Sequence, residues 1–345
     1  MTHGSATPSG TTRYRSRHRA GFYREAQGLS VSSLGLGTYL GNPDVRTDEA
    51  YSSAVETAVR GGINFLDSAI NYRHQRSERS IGAALSRLFA SSELKRDEVV
   101  VCTKAGFLTP GAVPTTLREE DIVRGMHSMA PDFLADQIDR SCANLGLETL
   151  DVFYLHNPET QLAYITRDEF DTRIRAAFAR LEKIVAEGKI GFYGAATWEG
   201  FRQATGGLGL LRLVQIACEV GGPEHHFRFI QLPFNLAMTE ALMQEPETLD
   251  GQKISVLDAA FHAGITAIAS ASLLQAKLSR GLPSALTERI PGLETDAQRA
   301  IQFTRSTPGI TAALVGMSNP EHVRENLAVA QVPPLGPEAY VFRTS

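Results

Sequence analysis

Eight short apolar segments that alternate with helical patterns constrain the fold of this chain more than any other feature. Between these segments, apolar residues recur at spacings of three and four, which is typical of an amphipathic helix. The predicted strands are residues 29–40, 63–66, 99–104, 151–156, 189–197, 227–234, 265–272 and 311–317. Eight strands that alternate with helices over about 300 residues predict an α/β fold, a (β/α)8 TIM barrel in a single domain.

A doubly wound parallel sheet is the alternative architecture, because it has the same alternation of strands and helices. Such a sheet usually carries a Gly-x-Gly-x-x-Gly turn between a strand and the following helix. Here Gly35-Leu36-Gly37 continues into Thr-Tyr-Leu-Gly, and no predicted strand precedes the glycines at 206, 207 and 209. The closed barrel is therefore the preferred fold.

Residues 1–24 lie outside the repeating pattern and are rich in serine, threonine, glycine and arginine. They contain no apolar run of the kind a secretory signal needs, and no amphipathic face accompanies the arginines as in an organelle transit peptide. We therefore expect a flexible basic N-terminal tail at 1–24 and one barrel domain at 25–345.

Charge and cysteine content limit the classes of partner. The net charge of −4 gives no basic surface for nucleic acid, and no apolar run approaches the roughly 18 residues of a membrane span. The three cysteines lie in apolar or helical patterns, which favours reduced thiols in a cytoplasmic protein. A small molecule is thus the expected partner, while the oligomeric state stays open.

Three consecutive predicted strands each end on an ionisable side chain. Asp67 follows the strand 63–66, Lys104 ends the next strand and His156 ends the one after, while Tyr72 lies five residues beyond Asp67. Each residue alone has a structural explanation, such as a helix cap or a lysine that reaches solvent. Because the carboxyl ends of barrel strands meet at the catalytic face, their joint placement predicts one active site.

These four side chains suit the reduction of a carbonyl group. A phenol titrates near 10, so Tyr72 is a poor acid at neutral pH unless a neighbouring ammonium lowers its pKa. Lys104 would supply that charge, Asp67 would keep the lysine charged, and His156 would orient a carbonyl oxygen. The set predicts proton donation to a developing alkoxide, with the hydride supplied by a nicotinamide.

These motifs together resemble the aldo-keto reductase superfamily over roughly residues 29–332. The similarity rests on Gly37-Thr38-Tyr39, residues 67–72, Thr103-Lys104, Leu155-His156, Gln231 within Phe-Ile-Gln-Leu-Pro-Phe-Asn, and residues 316–327. The resemblance implies a barrel that binds NADP(H), with NAD(H) possible, and no metal. It also implies that Tyr72 is the general acid and base, that Lys104 and Asp67 tune it, and that His156 orients the substrate.

The resemblance further implies which residues contact the cofactor and the substrate. The expected cofactor-binding residues are Gly37, Thr38, Tyr39, Asp67, Thr197, Gln231, Ser270, Gly316, Ser318, His322, Glu325 and Asn326. The expected substrate-binding residues are Tyr39, Tyr72, Phe107, His156, Asn157 and Trp198. The substrate class that the resemblance implies is an aldehyde or ketone, or the corresponding alcohol.

Several cofactor positions depart from the family pattern. Ala196-Thr197 stands where the family often has Ser-Asn, and Ser270 stands where an aromatic ring stacks on the nicotinamide. Gly316 and His322 occupy places where basic residues often bind the 2′-phosphate, so this sequence does not choose between NADP and NAD. These departures keep open a nicotinamide-binding barrel with a regulatory or partner-binding role. A phosphate-sugar isomerase is a third reading, but it leaves the four ionisable residues unexplained.

Overall fold

The computed structural model describes residues 1–203, 206–336 and 340 of the chain. Its strands are β1 (Tyr23–Ala26), β2 (Leu29–Ser32), β3 (Leu34–Gly37), β4 (Phe65–Asp67), β5 (Val100–Ala105), β6 (Leu150–His156), β7 (Ile190–Ala196), β8 (Phe227–Pro233), β9 (Glu247–Leu249), β10 (Gln252–Ile254), β11 (Thr266–Ser270) and β12 (Ile310–Gly316). Its α-helices are α1 (Pro8–Arg15), α2 (Val45–Arg60), α3 (Arg76–Ala90), α4 (Pro131–Leu145), α5 (Arg167–Ala186), α6 (Leu210–Gly221), α7 (Glu240–Met243), α8 (Val256–His262), α9 (Ala285–Arg289), α10 (Asp296–Ser306) and α11 (Pro320–Asn326).

Eight strands close into a barrel in the order β11-β12-β3-β4-β5-β6-β7-β8. Neighbouring strands run parallel all the way round, including the pair β8 and β11 that closes the circle. The predicted (β/α)8 barrel is confirmed, and closure excludes the doubly wound sheet. In such a barrel the carboxyl ends of all eight strands share one face.

Apolar side chains cover both faces of the barrel strands. Inside the barrel, a cluster forms around Phe65, Val100, Val152, Phe229 and Ile268. A larger cluster joins the outer faces of the strands to the surrounding helices. Burying one such side chain stabilises the fold by about 1.5–3 kcal/mol, so the strand ends are held firmly by the core.

The helices follow from the expected spacing and end signals. Ile81, Leu85 and Leu88 share one face of α3, and all three are fully buried. α4 begins on Pro131 and ends at Gly146, whose φ of 70° is the left-handed conformation that glycine adopts at little cost. These local signals place the helices on the outside of the barrel.

The N-terminal segment packs against the bottom of the barrel, which differs from the flexible tail expected from its composition. α1 buries Tyr14, whose hydroxyl lies within hydrogen-bond distance of the carbonyls of Val59 and Ile63. Arg13 forms an ion pair with Glu98 at 2.8 Å. The basic residues thus face acidic residues far along the chain, and composition alone cannot show such a pairing.

Two further boundaries differ from expectation. The strand predicted at 29–40 divides into β2, which pairs with β1 in an antiparallel hairpin, and the barrel strand β3. The alternation of strands and helices also predicts a helix that starts at 198–204, directly after the fifth predicted strand. Residues 198–203 instead form turns and bends, and Ala204 lies outside the described residues. The next helix is α6. Within the described ranges, no helix has both the length and the apolar character to cross a membrane.

Candidate active site

A cavity of about 500 Å³ opens at the carboxyl ends of the barrel strands. Many of the residues expected to bind cofactor or substrate line it. They are Gly37, Thr38, Tyr39, Asp67, Tyr72, Phe107, His156, Asn157, Thr197, Trp198, Gln231, Ser270 and Gly316. Lys104 is fully buried and contacts this cavity through its partner Asp67.

The alternation of side chains along each strand explains why these groups converge. Residues two apart on a strand face the same side, and the register pairs Asp67 with Cys102 across β4 and β5. On each of three neighbouring strands, alternate residues point into the barrel and the last of them reaches the site. These residues are Phe65 and Asp67 on β4, Val100, Cys102 and Lys104 on β5, and Val152, Tyr154 and His156 on β6. The buried residues lower on each strand therefore fix the direction in which Asp67, Lys104 and His156 point.

Lys104 and Asp67 form a buried ion pair. Lys104 Nζ donates to Asp67 Oδ2 at 2.6 Å and to the carbonyl of Ser68 at 2.7 Å, and Gln231 Nε2 donates to Asp67 Oδ1 at 2.8 Å. Burial alone would lower the pKa of Lys104, but the charge of Asp67 and its hydrogen bond to the ammonium outweigh burial and raise the pKa. Lys104 is therefore a cation at neutral pH. Burial also raises the pKa of Asp67, against the opposing charge of Lys104.

Tyr72 lies on the turn after β4, above the ammonium of Lys104. The backbone of this turn is fixed by hydrogen bonds from Ile70 N to Lys104 O at 3.1 Å and from Tyr72 N to Ala69 O at 3.0 Å. Lys104 Nζ lies 5.2 Å from the centroid of the Tyr72 ring. Burial raises the pKa of Tyr72, and the charge of Lys104 only partly offsets this, which differs from the lowering expected from the lysine alone. The phenol is therefore protonated at neutral pH and can donate.

Aromatic rings surround the tyrosine. The rings of Tyr39 and His156 meet Tyr72 edge to face, with centroid distances of 5.0 Å and 5.7 Å. Phe107 packs against His156 with a centroid distance of 5.2 Å. Edge-to-face packing of this kind is favourable and fixes ring orientation. The wall of the cavity near Tyr72 is thus largely aromatic.

His156 has a neutral ring, and a second histidine holds its backbone. Burial, then the charge of Lys104, lowers the pKa of His156 well below its usual value. His127 Nε2 lies 2.8 Å from the carbonyl oxygen of His156, and Gln161 Nε2 lies 3.1 Å from His127 Nδ1. Because the amide nitrogen of Gln161 can only donate, His127 carries its proton on Nε2. Sequence reasoning missed His127, which sits in the long connection before α4 with no motif around it.

The β7 and β8 ends offer polar atoms for a ligand. Thr197 Oγ1 is buried and has no hydrogen-bond partner within the described part of the chain. The amide nitrogen of Gln231 is committed to Asp67, so its carbonyl oxygen is the atom left for a ligand. An unpartnered buried hydroxyl costs free energy unless a ligand or water satisfies it, so these atoms fit a polar group such as a carboxamide.

Four predicted cofactor residues do not line this cavity. Asn319 caps α11, which carries His322, Glu325 and Asn326, and Ser318 precedes the cap. His322 and Glu325 are exposed, whereas Asn326 is buried with an unpartnered Oδ1 among the residues that are described. These residues are therefore on the rim beyond β12 and are separate from the group around Tyr72.

The segment after β11 lines the cavity and was not predicted. Ala271, Ser272, Leu273, Gln275 and Ala276 all contribute to the wall, along with Leu40 and Asn71 elsewhere. Within this segment, residues 271, 274, 275 and 276 adopt positive φ values between 46° and 68°. Non-glycine residues rarely take this conformation, and no glycine in the segment signals it.

The basic run after Tyr72 does not reach the cavity. Arg73 is buried and pairs with Asp48 at 2.6 Å, and Arg76 pairs with the same carboxylate at 2.5 Å. His74 is exposed, and the side chain of Gln75 accepts a hydrogen bond from Asn144. Residues 73–76, all of them described, therefore supply no free guanidinium to an anionic substrate.

Comparison with known proteins identifies relatives across most of the chain. The sequence model of the Aldo/keto reductase family matches residues 33–210, just over half of the chain. A D-threo-aldose 1-dehydrogenase from Pseudomonas sp is 28% identical over 332 residues, covering 88% of this chain and 91% of the relative. A probable voltage-gated potassium channel subunit beta from Arabidopsis thaliana is 23% identical over 330 residues, covering 89% and 90%.

A solved structure shares the architecture. The aldo/keto reductase from Klebsiella pneumoniae, crystallised in complex with NADP and acetate, superposes with a TM-score of 0.65 at 20% sequence identity. The match covers 92% of each chain. At this identity the likeness establishes the shared fold.

Proposed function

This chain belongs to the aldo/keto reductase family, and on that premise we propose that it is an NAD(P)H-dependent oxidoreductase that reduces an aldehyde or ketone, or oxidises the corresponding alcohol. Tyr72 is the proposed general acid and base, assisted by Lys104, Asp67 and His156. The single observation that carries the proposal is the buried Lys104–Asp67 pair beneath Tyr72 at the base of an open cavity. Burying two charges costs desolvation free energy, so a role in catalysis explains why this pair lies inside the barrel.

In the proposed reaction, a bound nicotinamide cofactor would supply the hydride that the carbonyl carbon receives. Tyr72 donates its hydroxyl proton to the carbonyl oxygen as negative charge develops there, so that the product is the alcohol. The Lys104 ammonium stabilises the phenolate left on Tyr72, and Asp67 holds that ammonium in place. The neutral ring of His156, packed against Tyr72, fixes the carbonyl oxygen near the phenol.

The residues at the β3, β7, β8, β11 and β12 ends are the proposed cofactor contacts. Thr197 Oγ1 and the carbonyl oxygen of Gln231 suit a carboxamide, while Gly37 and Thr38 form a wall at the edge of β3. Ser270 leaves one face of this site without an aromatic ring. Ser318, His322, Glu325 and Asn326 remain proposed contacts for the adenosine end. NADP(H) is the first candidate because the Klebsiella pneumoniae relative was solved with NADP, and NAD(H) is the second.

A second candidate function is a nicotinamide-binding barrel that acts as a regulatory or partner-binding subunit. The similarity to a potassium channel subunit beta favours this candidate, as do Ala196 and Ser270 at positions that usually grip the nicotinamide. Both candidates predict cofactor binding. They differ in turnover, because a subunit of this kind needs no efficient chemistry.

The decisive experiment mixes the purified protein with NADPH or NADH and follows cofactor fluorescence, then adds a panel of aldehydes and ketones. We expect saturable binding of at least one cofactor and its oxidation in proportion to the carbonyl compound. Binding without oxidation across the panel would favour the second candidate. If the protein neither binds nor oxidises either cofactor, both candidate functions are excluded.

The three free cysteines suit a reducing compartment, so we propose the cytoplasm as the location.

A further inference from the structure

The surface loop between β7 and α6, beside the cavity, is held by charged side chains of neighbouring elements. We call it the Trp198 loop, meaning the described residues 198–203 and 206–208 between β7 and α6. The connection from β6 to α5 contains a 3-10 turn at Pro158–Ala163 and runs into α5. Glu159 of this connection and Arg167, the first residue of α5, contact the two ends of the Trp198 loop.

Glu159 binds the start of the loop. Its Oε1 accepts hydrogen bonds from the backbone N–H groups of Trp198, Glu199 and Gly200 at 2.7, 3.0 and 3.3 Å. Three consecutive amides that point at one carboxylate oxygen form a strong, charge-assisted anchor. The anchor fixes the backbone of Trp198 immediately after the barrel strand ends.

Arg167 binds the other end of the same loop. Its Nη2 donates to the carbonyls of Gly207 at 2.6 Å and Gly206 at 3.3 Å. The loop also closes on itself, because Leu208 N donates to Gly200 O at 2.8 Å. The Trp198 loop is therefore tied at both ends, and Arg202 within it also pairs with Glu240 at 2.5 Å. Glu159 is the group that holds the backbone of Trp198 itself.

Trp198 borders two cavities. It lines the cavity above Tyr72, and it also lines a second cavity of about 510 Å³ that Glu159, Leu162 and Gln203 border. The Trp198 side chain is 40% exposed, so burial alone does not fix it. Asn157 lines both cavities as well, so a shift of the Trp198 loop would change one part of the wall between them.

We propose that Glu159 is a positioning residue that sets the size of the substrate pocket by anchoring the Trp198 loop, an assignment that rests on the proposed carbonyl reductase function. With the anchor intact, the pocket suits compact carbonyl compounds, because the indole closes its side. Without the anchor, Trp198 moves and the two cavities join. A merely structural role for Glu159 would lower stability and leave substrate selection unchanged.

The test uses Glu159→Ala, with Glu199→Ala as the matched control. Glu199 lies on the same loop, but its side chain is exposed and its carboxylate pairs with Arg202. Trp198 is the single tryptophan of the chain, so its fluorescence reports on the loop without any reaction. For Glu159→Ala we expect acrylamide quenching of this fluorescence to increase about twofold as the loop loosens.

The kinetic arm compares a three-carbon aldehyde with a bulky aromatic aldehyde. Loss of a charged anchor should raise KM for the compact aldehyde roughly tenfold in Glu159→Ala, with kcat and cofactor affinity unchanged. The ratio of kcat/KM for the bulky aldehyde to that for the compact one should rise. Glu199→Ala should match the wild type in quenching and in both kinetic ratios.

The proposal would be overturned if acrylamide quenching of Trp198 in Glu159→Ala equalled that of the wild type. It would also be overturned if quenching increased but the ratio of kcat/KM for the bulky and compact aldehydes stayed at the wild-type value. If Glu159→Ala fails to fold, Glu159→Gln replaces it. The side-chain amide of Glu159→Gln keeps one neutral acceptor, so the loop should loosen only in part. Quenching of Trp198 should increase by less than twofold, and KM for the compact aldehyde should rise by less than tenfold. Wild-type values in Glu159→Gln would also overturn the proposal. If the wild type reduces no carbonyl compound, the proposed function fails, while the fluorescence arm still decides whether Glu159 holds the loop.

Discussion

At the scale of single residues, the site depends on charges that are kept inside the barrel. Lys104 is fully buried, yet its ammonium is satisfied by Asp67 and by the carbonyl of Ser68. Asp67 in turn accepts from Gln231. A buried ion pair with this many hydrogen bonds is stable as a pair, but either member alone would be an uncompensated charge.

Replacing the lysine should therefore harm both stability and activity. Lys104→Met keeps the size of the side chain but leaves Asp67 unpaired, so we expect a loss of about 3–5 kcal/mol in the free energy of unfolding. We also expect kcat to fall by about 10²-fold or more, since the phenolate loses its cation. Urea denaturation and steady-state kinetics measure the two effects.

The double variant Lys104→Met/Asp67→Asn separates these effects. It should recover most of the lost stability, because no charge of the pair remains unpaired, while kcat stays low. If kcat returned together with stability, the ammonium would have no role in the reaction.

The burial of His127 leads to a second prediction, which concerns how the free energy of unfolding depends on pH. Burial lowers the pKa of His127 to about 4, below the value of about 6.5 in an unfolded chain. Below pH 6.5 the unfolded chain therefore binds more protons than the folded one, and stability falls as the pH falls. This residue alone should cost about 2 kcal/mol between pH 7 and pH 5, with no further loss once the pH is below the folded pKa.

Urea denaturation at both pH values, on the wild type and on His127→Gln, measures this contribution. The variant lacks the titrating ring, so its stability should change less over the same interval, by about the stated 2 kcal/mol. Equal changes in the two proteins would mean that folding does not lower the pKa of His127.

At the scale of elements, the helix before the barrel is a structural part of the molecule. Tyr14 of α1 is buried, and its hydroxyl contacts carbonyls at the end of α2 and before β4. These contacts lie at the amino ends of the barrel strands, opposite the face that carries Tyr72. In a barrel of this kind, that face serves stability rather than chemistry.

Truncation of this anchor should therefore separate stability from activity. We expect Tyr14→Ala to lower the free energy of unfolding by about 3–5 kcal/mol, and Tyr14→Phe to lower it by about 1 kcal/mol through the lost hydrogen bonding. Turnover and KM of the folded protein should be unchanged in both. Chemical denaturation with parallel activity assays tests this, and an unaltered denaturation midpoint in Tyr14→Ala would mean that α1 is not docked.

Also at this scale, some elements are readable from the sequence and others are not. The barrel strands and their helices follow from local spacing, and the convergence of Asp67, Lys104 and His156 follows from where those strands end. The docking of α1 depends on partners such as Glu98, which lie far away in the chain. The left-handed residues at 274–276 carry no glycine to indicate them, so that wall of the cavity was not predictable.

At the scale of the whole molecule, one closed barrel brings the proposed chemistry and the proposed substrate control to the same face. The core beneath the site fixes the inward-facing residues of the strands that end in Asp67, Lys104 and His156. The connections above it supply other parts of the site, such as the Trp198 loop. Sequence patterns predict the residues at the strand ends, because the periodicity of the strands determines where those residues lie. They miss the connections above the site, because only folding brings Glu159 to the amides it binds.

The measurement that tests the account most directly is turnover and cofactor binding in Tyr72→Phe. Removal of one hydroxyl leaves the aromatic contacts with Tyr39 and His156 in place, so the dissociation constant for the nicotinamide cofactor should be unchanged. The rate of carbonyl reduction should fall by about 10²- to 10⁴-fold, because the proton donor is gone. Turnover equal to that of the wild type, with the cofactor still bound, would contradict the assignment of Tyr72 as the general acid.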